Sequence, residues 1–167
     1  MAITIGHKAV PSDFTKTYFH GYQTAVQALA NATWVAITFT GEVVDTISGH
    51  SVSSNTSRYT PTTAGYYKCV GQVTTAVSTA GDRVAQFRKN GSVVTSGSDG
   101  DAPYSGVPSM KGTGLSFGMA FAWATIKCNG STDYIELYGQ QNSGGSLNTA
   151  SDTNSRCFFI AEWVAPL

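Results

Sequence analysis

The side chains able to do chemistry in this sequence are few and far apart. Three histidines, His7, His20 and His50, all lie in the N-terminal third, and three cysteines, Cys69, Cys128 and Cys157, are widely spaced. Acid–base catalysis needs convergent groups with tuned pKa values, and metal centres need ligands at characteristic short intervals. Neither pattern is legible. No GxSxG, HExxH or P-loop occurs, nor a GxGxxG followed by a helix. Asp99-Gly100-Asp101 is the one carboxylate cluster, and two acids fall short of the roughly six to eight oxygens that Ca²⁺ takes, so a solvated loop turn is the better reading. His50, within ISGHSVSSNTSRYT, has the residue type of a ligand or a base, but a polar-loop histidine paired with a backbone carbonyl is the plainer expectation. A glycan hydrolase would need two carboxylates facing each other across a cleft, and the few acids here show no such pairing. The expectation is no catalytic residue, no metal site and no cofactor. Tyrosines on a neutral, hydroxyl-rich surface would suit glycan or protein recognition, with Tyr104 and Tyr138 as candidate exposed loop contacts; tyrosine is equally an ordinary strand residue.

The composition bounds the rest. The chain has 167 residues, with ten Lys+Arg against ten Asp+Glu, so its formal net charge is zero. Phosphate binding needs clustered surplus cations, which argues against nucleic acid as the main partner. Charged residues are 12% against a usual ~25%, leaving Ser, Thr and Asn to solubilise the surface. The length fits one domain with a real core. The cysteines form neither a disulfide framework nor a CxxC motif and read as small buried apolar residues. No run of about 18 apolar residues occurs and MAITIGHKAVPSDF lacks an apolar h-region, so neither membrane spanning nor signal-peptide export is expected. The three glycosylation-type triplets at Asn31, Asn55 and Asn129 carry no weight without a secretory signal.

These side chains must be positioned by strands. Short β-branched and aromatic runs recur between Gly, Asn, Ser and Pro, the pattern of an all-β sandwich or barrel. Strands are expected near residues 18–23, 34–39, 42–47, 57–60, 65–75, 83–89, 92–95, 115–127, 134–141 and 156–164. TAVQALANA at residues 24–32 reads as a short helical turn or a loop. Asn90-Gly91 and Asn129-Gly130 read as tight hairpin turns, because both residue types tolerate positive φ. Residues 1–17 carry Ile3, Ile5, Val10 and Phe14 without a period, as expected of an arm that orders against a partner; residues 18–167 form the domain. Residues 96–114 form a long Gly/Ser/Pro loop, longer than the ~12–15 residues above which an unstructured connection is usually functional or disordered.

The strand at 115–127 carries the most information. Alternation sends Phe117, Met119, Phe121 and Trp123 to one face and Gly118, Ala120, Ala122, Ala124 and Ile126 to the other. Both faces are apolar, whereas an antiparallel sandwich strand normally has one wet face. The strand at 156–164 repeats the signal, with Phe158 and Ile160 opposite Cys157, Phe159, Ala161 and Trp163. Either a second copy or partner covers the outer face, or the chain's own loops roof it; two strands with the same signal favour self-association.

SRYTPTTAGYYKCVGQV followed by GDRVAQFRKNG, at residues 57–91, resembles the C1q/TNF-like jelly roll, particularly its variants in bacteriophage virion proteins. Gly65-Tyr66-Tyr67 and Lys89-Asn90-Gly91 match its strand starts and ends. TWVAITFTGEVVDT at 33–46, YIELYGQQNSGGSLNT at 134–149 and SRCFFIAEWV at 155–164 are similar to its opening, penultimate and closing strands. Thr132-Asp133, Phe159 and Cys69 depart from the family's usual residues at those places. The resemblance implies a ten-strand jelly-roll sandwich, commonly a homotrimer with inner-sheet aromatics near the axis, and binding or structural work. Together with the two-faced strands it makes Tyr66, Phe121, Trp123 and Phe158 the candidate trimer interface, with the choice of core face open. The function expected is a non-enzymatic virion surface protein, made in the host cytoplasm and located on the outside of the particle. A capsid decoration protein gripping the major capsid protein through Ile3, Ile5, Val10 and Phe14 leads, because a whole chain of this size is too short for a complete tail fibre. A receptor-binding tip or small fibre contacting a host-surface glycan is the alternative.

Overall fold

The computed structural model describes residues 17–94, 97–101, 118–152 and 156–167. They form strands and no helix: β1 (Tyr18–Tyr22), β2 (Ala28–Leu29), β3 (Val35–Ala36), β4 (Gly41–Asp45), β5 (Arg58–Tyr59), β6 (Gly65–Thr75), β7 (Arg83–Lys89), β8 (Ser92–Val93), β9 (Gly100–Asp101), β10 (Gly118–Cys128), β11 (Ile135–Gln141), β12 (Leu147–Asn148) and β13 (Phe158–Ala165). One sheet runs β4-β1-β13-β6-β10-β9, the other β3-β11-β7-β8 with β5 also on β11, and β12 pairs β2 in a separate ribbon. All strand pairs are antiparallel. The fold is therefore all-β with antiparallel sheets, as a sandwich requires.

β6 and β10, 11 residues each, pair along their whole length. They are long because β-branched, aromatic and small residues follow one another there without Pro or Asn. Their buried positions, Tyr67, Cys69 and Val73 against Ala120, Ala122, Ala124 and Ile126, face the second sheet's Ala85, Phe87, Ile135 and Leu137. The contact between sheets is direct, with the rings of Phe87 and Phe159 5.0 Å apart. Phe19 stacks on Tyr59 at 4.6 Å and meets Phe159 edge-on at 5.2 Å. A Cβ at Gly71 would lie 2.8 Å from Leu137 Cδ2 and 3.1 Å from Phe87 Cζ, so glycine is what lets the sheets approach here. Burial also raises all three thiols, Cys128 and Cys157 to about 12, as befits small core residues.

Several sequence expectations change. Residues 24–32 hold no helical turn; Ala28–Leu29 pairs with β12, because Gln27 and Thr149 bind each other across the ribbon (Thr149 N to Gln27 O, 2.8 Å). The strand expected at 34–39 shrinks to β3, since its partner changes: Ile37 N donates to Leu137 O at 2.9 Å but Phe39 N to Thr56 O at 2.8 Å. Asn90-Gly91 is the tight hairpin expected, with φ of 52° and 76° joining β7 to β8. Asn129-Gly130 is not a hairpin, because it leads from β10 in one sheet to β11 in the other. There Asn129 Oδ1 accepts from the backbone N–H of Ser131, Thr132 and Asp133, so the asparagine works by capping rather than by positive φ. Gly100–Asp101 forms the edge strand β9 on β10 instead of a free turn, and Lys89 Nζ reaches Asp99 at 3.3 Å. Thr17, expected in the arm, belongs to the body: it is buried and its carbonyl accepts from Trp163 N at 3.0 Å.

Candidate functional site

The site is the outer face of the six-stranded sheet, and strand register builds it. In one row across β4, β1, β13, β6 and β10 the partners are Val44, His20, Ile160, Val70 and Trp123. The next row runs Gly41, Tyr22, Phe158, Gln72 and Phe121. On the other side the row is Tyr18, Glu162, Lys68 and Thr125. The face thus has an apolar and aromatic centre bordered by opposite charges. Trp123 is 54% and Phe121 43% exposed, at the β10 end of their rows, on a sheet whose other face is core.

The structure brings Phe121, Trp123 and Phe158 together on this face, within adjoining rows. Tyr66 shares the face but pairs with Lys127 and Ala165, four residues along β6 from Val70 and about 13 Å away at the usual strand rise, beyond the Glu162–Lys68 row. The parity of β10 is resolved in the same way: Gly118, Ala120, Ala122, Ala124 and Ile126 point inward, and the large side chains point out. Alternation alone sets Ile160 beside Phe158, but sequence reasoning missed Val70, His20 and Tyr22 as members of the face. Their signal is the same alternation, but it becomes a surface only when the order of strands is known.

The face is polar around β1 and the start of β13. His20 meets Phe158 edge-on at 6.0 Å, and Arg156 stacks over Tyr22 at 3.7 Å. Burial, and then the Arg156 charge, hold His20 below the usual histidine range, so it is neutral at pH 7. A neutral imidazole costs less to cover than a charged one.

His50 lies in the loop after β4, where its Nε2 contacts Thr56 O at 3.1 Å, the carbonyl pairing expected, and its Nδ1 contacts Glu42 at 2.6 Å. Tyr138 departs from expectation. It sits on β11, half-buried, with the Arg88 guanidinium 4.1 Å over its ring and its hydroxyl 3.3 Å from Glu136, so strand pairing and these partners take it out of any exposed loop. His7, Ile3, Ile5, Val10, Phe14 and Tyr104 lie outside the described residues. Among the described residues no cluster of three or more His, Cys, Asp or Glu could hold a metal ion, and no helix is long and apolar enough to cross a membrane. Compared with known proteins, the chain matches no family model and no curated protein.

Proposed function

We propose that this chain is a non-enzymatic bacteriophage virion surface protein: a C1q/TNF-like jelly roll that associates as a homotrimer through the outer face of its six-stranded sheet and decorates the capsid by binding the major capsid protein. The observation that carries the self-association is the apolar centre of that face, Phe121, Trp123, Phe158, Val70 and Ile160, on a sheet whose other side is already the core. Charges at the borders, Glu162 and Lys68 on a neighbouring row and Arg156 over Tyr22, suit an interface with an apolar centre and a polar rim.

The jelly-roll reading is supported by connectivity. β1 lies beside β13, and the chain crosses between the two large sheets from β3 to β4, β4 to β5, β5 to β6, β6 to β7, β8 to β9 and β10 to β11, the wrapped path that distinguishes a jelly roll from a meander. Ten of the strands correspond to the ten expected, with β2, β9 and β12 as two-residue additions. The threefold stoichiometry and the phage setting rest on the sequence resemblance.

Multi-angle light scattering at micromolar concentration should return three times the monomer mass; a monomer would overturn the reading. Mass spectrometry and a cryo-EM map of purified particles should find hundreds of copies over the head, whereas a handful at the tail would mean a receptor-binding tip. Deleting residues 2–17 should leave the trimer intact and abolish decoration.

A further inference from the structure

A second site lies away from the six-stranded sheet's outer face, where the loop after β4, β5 and the β10–β11 connection meet in an open cleft of about 480 Å³. That is the size of small-molecule sites. Its wall carries Ser51, Asn55, Arg58, Ser131, Thr132 and Tyr134, together with further Ser and Thr hydroxyls, and no carboxylate side chain. We propose that this cleft binds an acidic sugar, with the sugar carboxylate on Arg58 and its hydroxyls on the surrounding Ser, Thr and Asn groups. Binding there depends neither on the proposed trimer nor on where the protein is located.

Charge selects the ligand class. The Arg58 guanidinium lies 4.1 Å over the Tyr134 ring, with Nε turned to Glu136 at 3.5 Å. Neither Nη group donates to a described residue, and the side chain is 41% exposed, so a planar fork is held ready for a carboxylate. Glu136 is buried, accepts from Ser57 Oγ at 2.8 Å and faces Arg88 across the β7–β11 pair. Arg58 is the one lysine or arginine among the residues lining the cleft, whose other polar groups are hydroxyls, amides and His50; the nearby Glu42 and Asp45 carboxylates are bound to His50 Nδ1 and to the Ile47 and His50 N–H groups. The His50 ring nitrogens are occupied by Glu42 and the Thr56 carbonyl, so histidine braces the wall and is not a ligand group.

The wall is preorganised. Asp45 accepts from Ile47 N at 3.1 Å and His50 N at 2.8 Å, Thr60 N donates to Gly49 O at 2.8 Å, and Ser51 Oγ accepts from Ser54 N at 3.2 Å. Asn129 fixes the opposite turn. Ser48 and Asn55 line the cleft in the left-handed region, with φ of 53° and 49°. Such backbone costs energy unless the surroundings impose it, and it concentrates at binding sites. A rigid ring of hydroxyl and amide dipoles around one cation fits a polyhydroxylated monoanion better than a bare ion or an apolar ligand.

The test uses the full chain and three probes, glucuronate, glucose and acetate, followed by saturation-transfer NMR and calorimetry. Glucuronate should bind saturably in the millimolar range, at least about tenfold more tightly than glucose or acetate. Arg58→Gln should weaken it at least about tenfold, a factor worth about 1.4 kcal/mol. Ser131→Trp, which fills the cleft without touching Glu136, should abolish binding while the melting curve stays that of the parent, and it keeps the test valid if Arg58→Gln unfolds. No saturation by glucuronate, equal binding of glucose, equal binding of acetate, or glucuronate binding untouched by Ser131→Trp would each overturn the assignment.

Discussion

Replacing Phe121 and Trp123 together by threonine tests the interface most directly. Both side chains leave the core side of β10 untouched, and threonine is β-branched, so the strand keeps its propensity. A tryptophan and a phenylalanine present about 250 and about 200 Å² when fully exposed. The observed exposures of 54% and 43% therefore leave about 135 and about 85 Å² in water, an area that a neighbouring copy would cover. At about 25 cal/mol per Å² the two are worth up to about 5.5 kcal/mol per protomer, or a weakening of association on the order of 10⁴-fold. Light scattering should then find Phe121→Thr/Trp123→Thr monomeric at concentrations where the parent is trimeric, with an unchanged far-ultraviolet spectrum showing that the fold survives. If the double variant keeps the parent's mass, these residues are not at the interface and the outer face has another role.

Three further outcomes follow from the interior. The Tyr59 hydroxyl is buried with no hydrogen-bond partner among the described residues, so Tyr59→Phe should stabilise by about 1 kcal/mol, or about 2–4 °C in Tm; a lower Tm would mean the hydroxyl is satisfied. Gly71→Ala should destabilise by about 1–3 kcal/mol in denaturant titrations, because its Cβ enters the space of Leu137 and Phe87; a neutral result would show that the sheets part easily. Burial works against the charge of Asp133, but Asn90, the Asn129 N–H and Lys89 outweigh it and hold the carboxyl below the usual range. Its stability contribution is complete above the ordinary carboxylate pKa and is lost as pH falls through the lowered folded value, so the gap between parent and Asp133→Asn should close below about pH 4 in denaturation series. A gap of constant size would refute it.

Alternation and turn chemistry are local properties, which is why so much of the strand pattern could be read from the chain. Gly65–Thr75 and Arg83–Lys89 appear with the bounds expected, and Asn90-Gly91 turns as two residues tolerant of positive φ should. The two-residue strands escaped because their pairing depends on distant partners: β12 and β2 meet across more than a hundred residues, and the Gln27 side chain takes over part of the β3 edge by accepting from Thr38 N at 3.0 Å. Asn129-Gly130 misled for a related reason. The same dipeptide serves a hairpin or a crossing between sheets, and only the identity of the next strand's neighbour separates them.

For function, the sequence by itself determined that β10 and β13 have two apolar faces, a consequence of period-two geometry alone. Which face is core was decided by the fold, since opposing small residues with a bulky second sheet fills the interior, and the aromatic rows were left outside. Tyr66 was separated from the other interface candidates by strand register, which no local pattern encodes. The Arg58–Tyr134 cleft belongs wholly to the tertiary structure. Its walls come from segments more than 70 residues apart, and a guanidinium on an aromatic ring beside a capped turn has no signature in the chain until β5 and β11 pair.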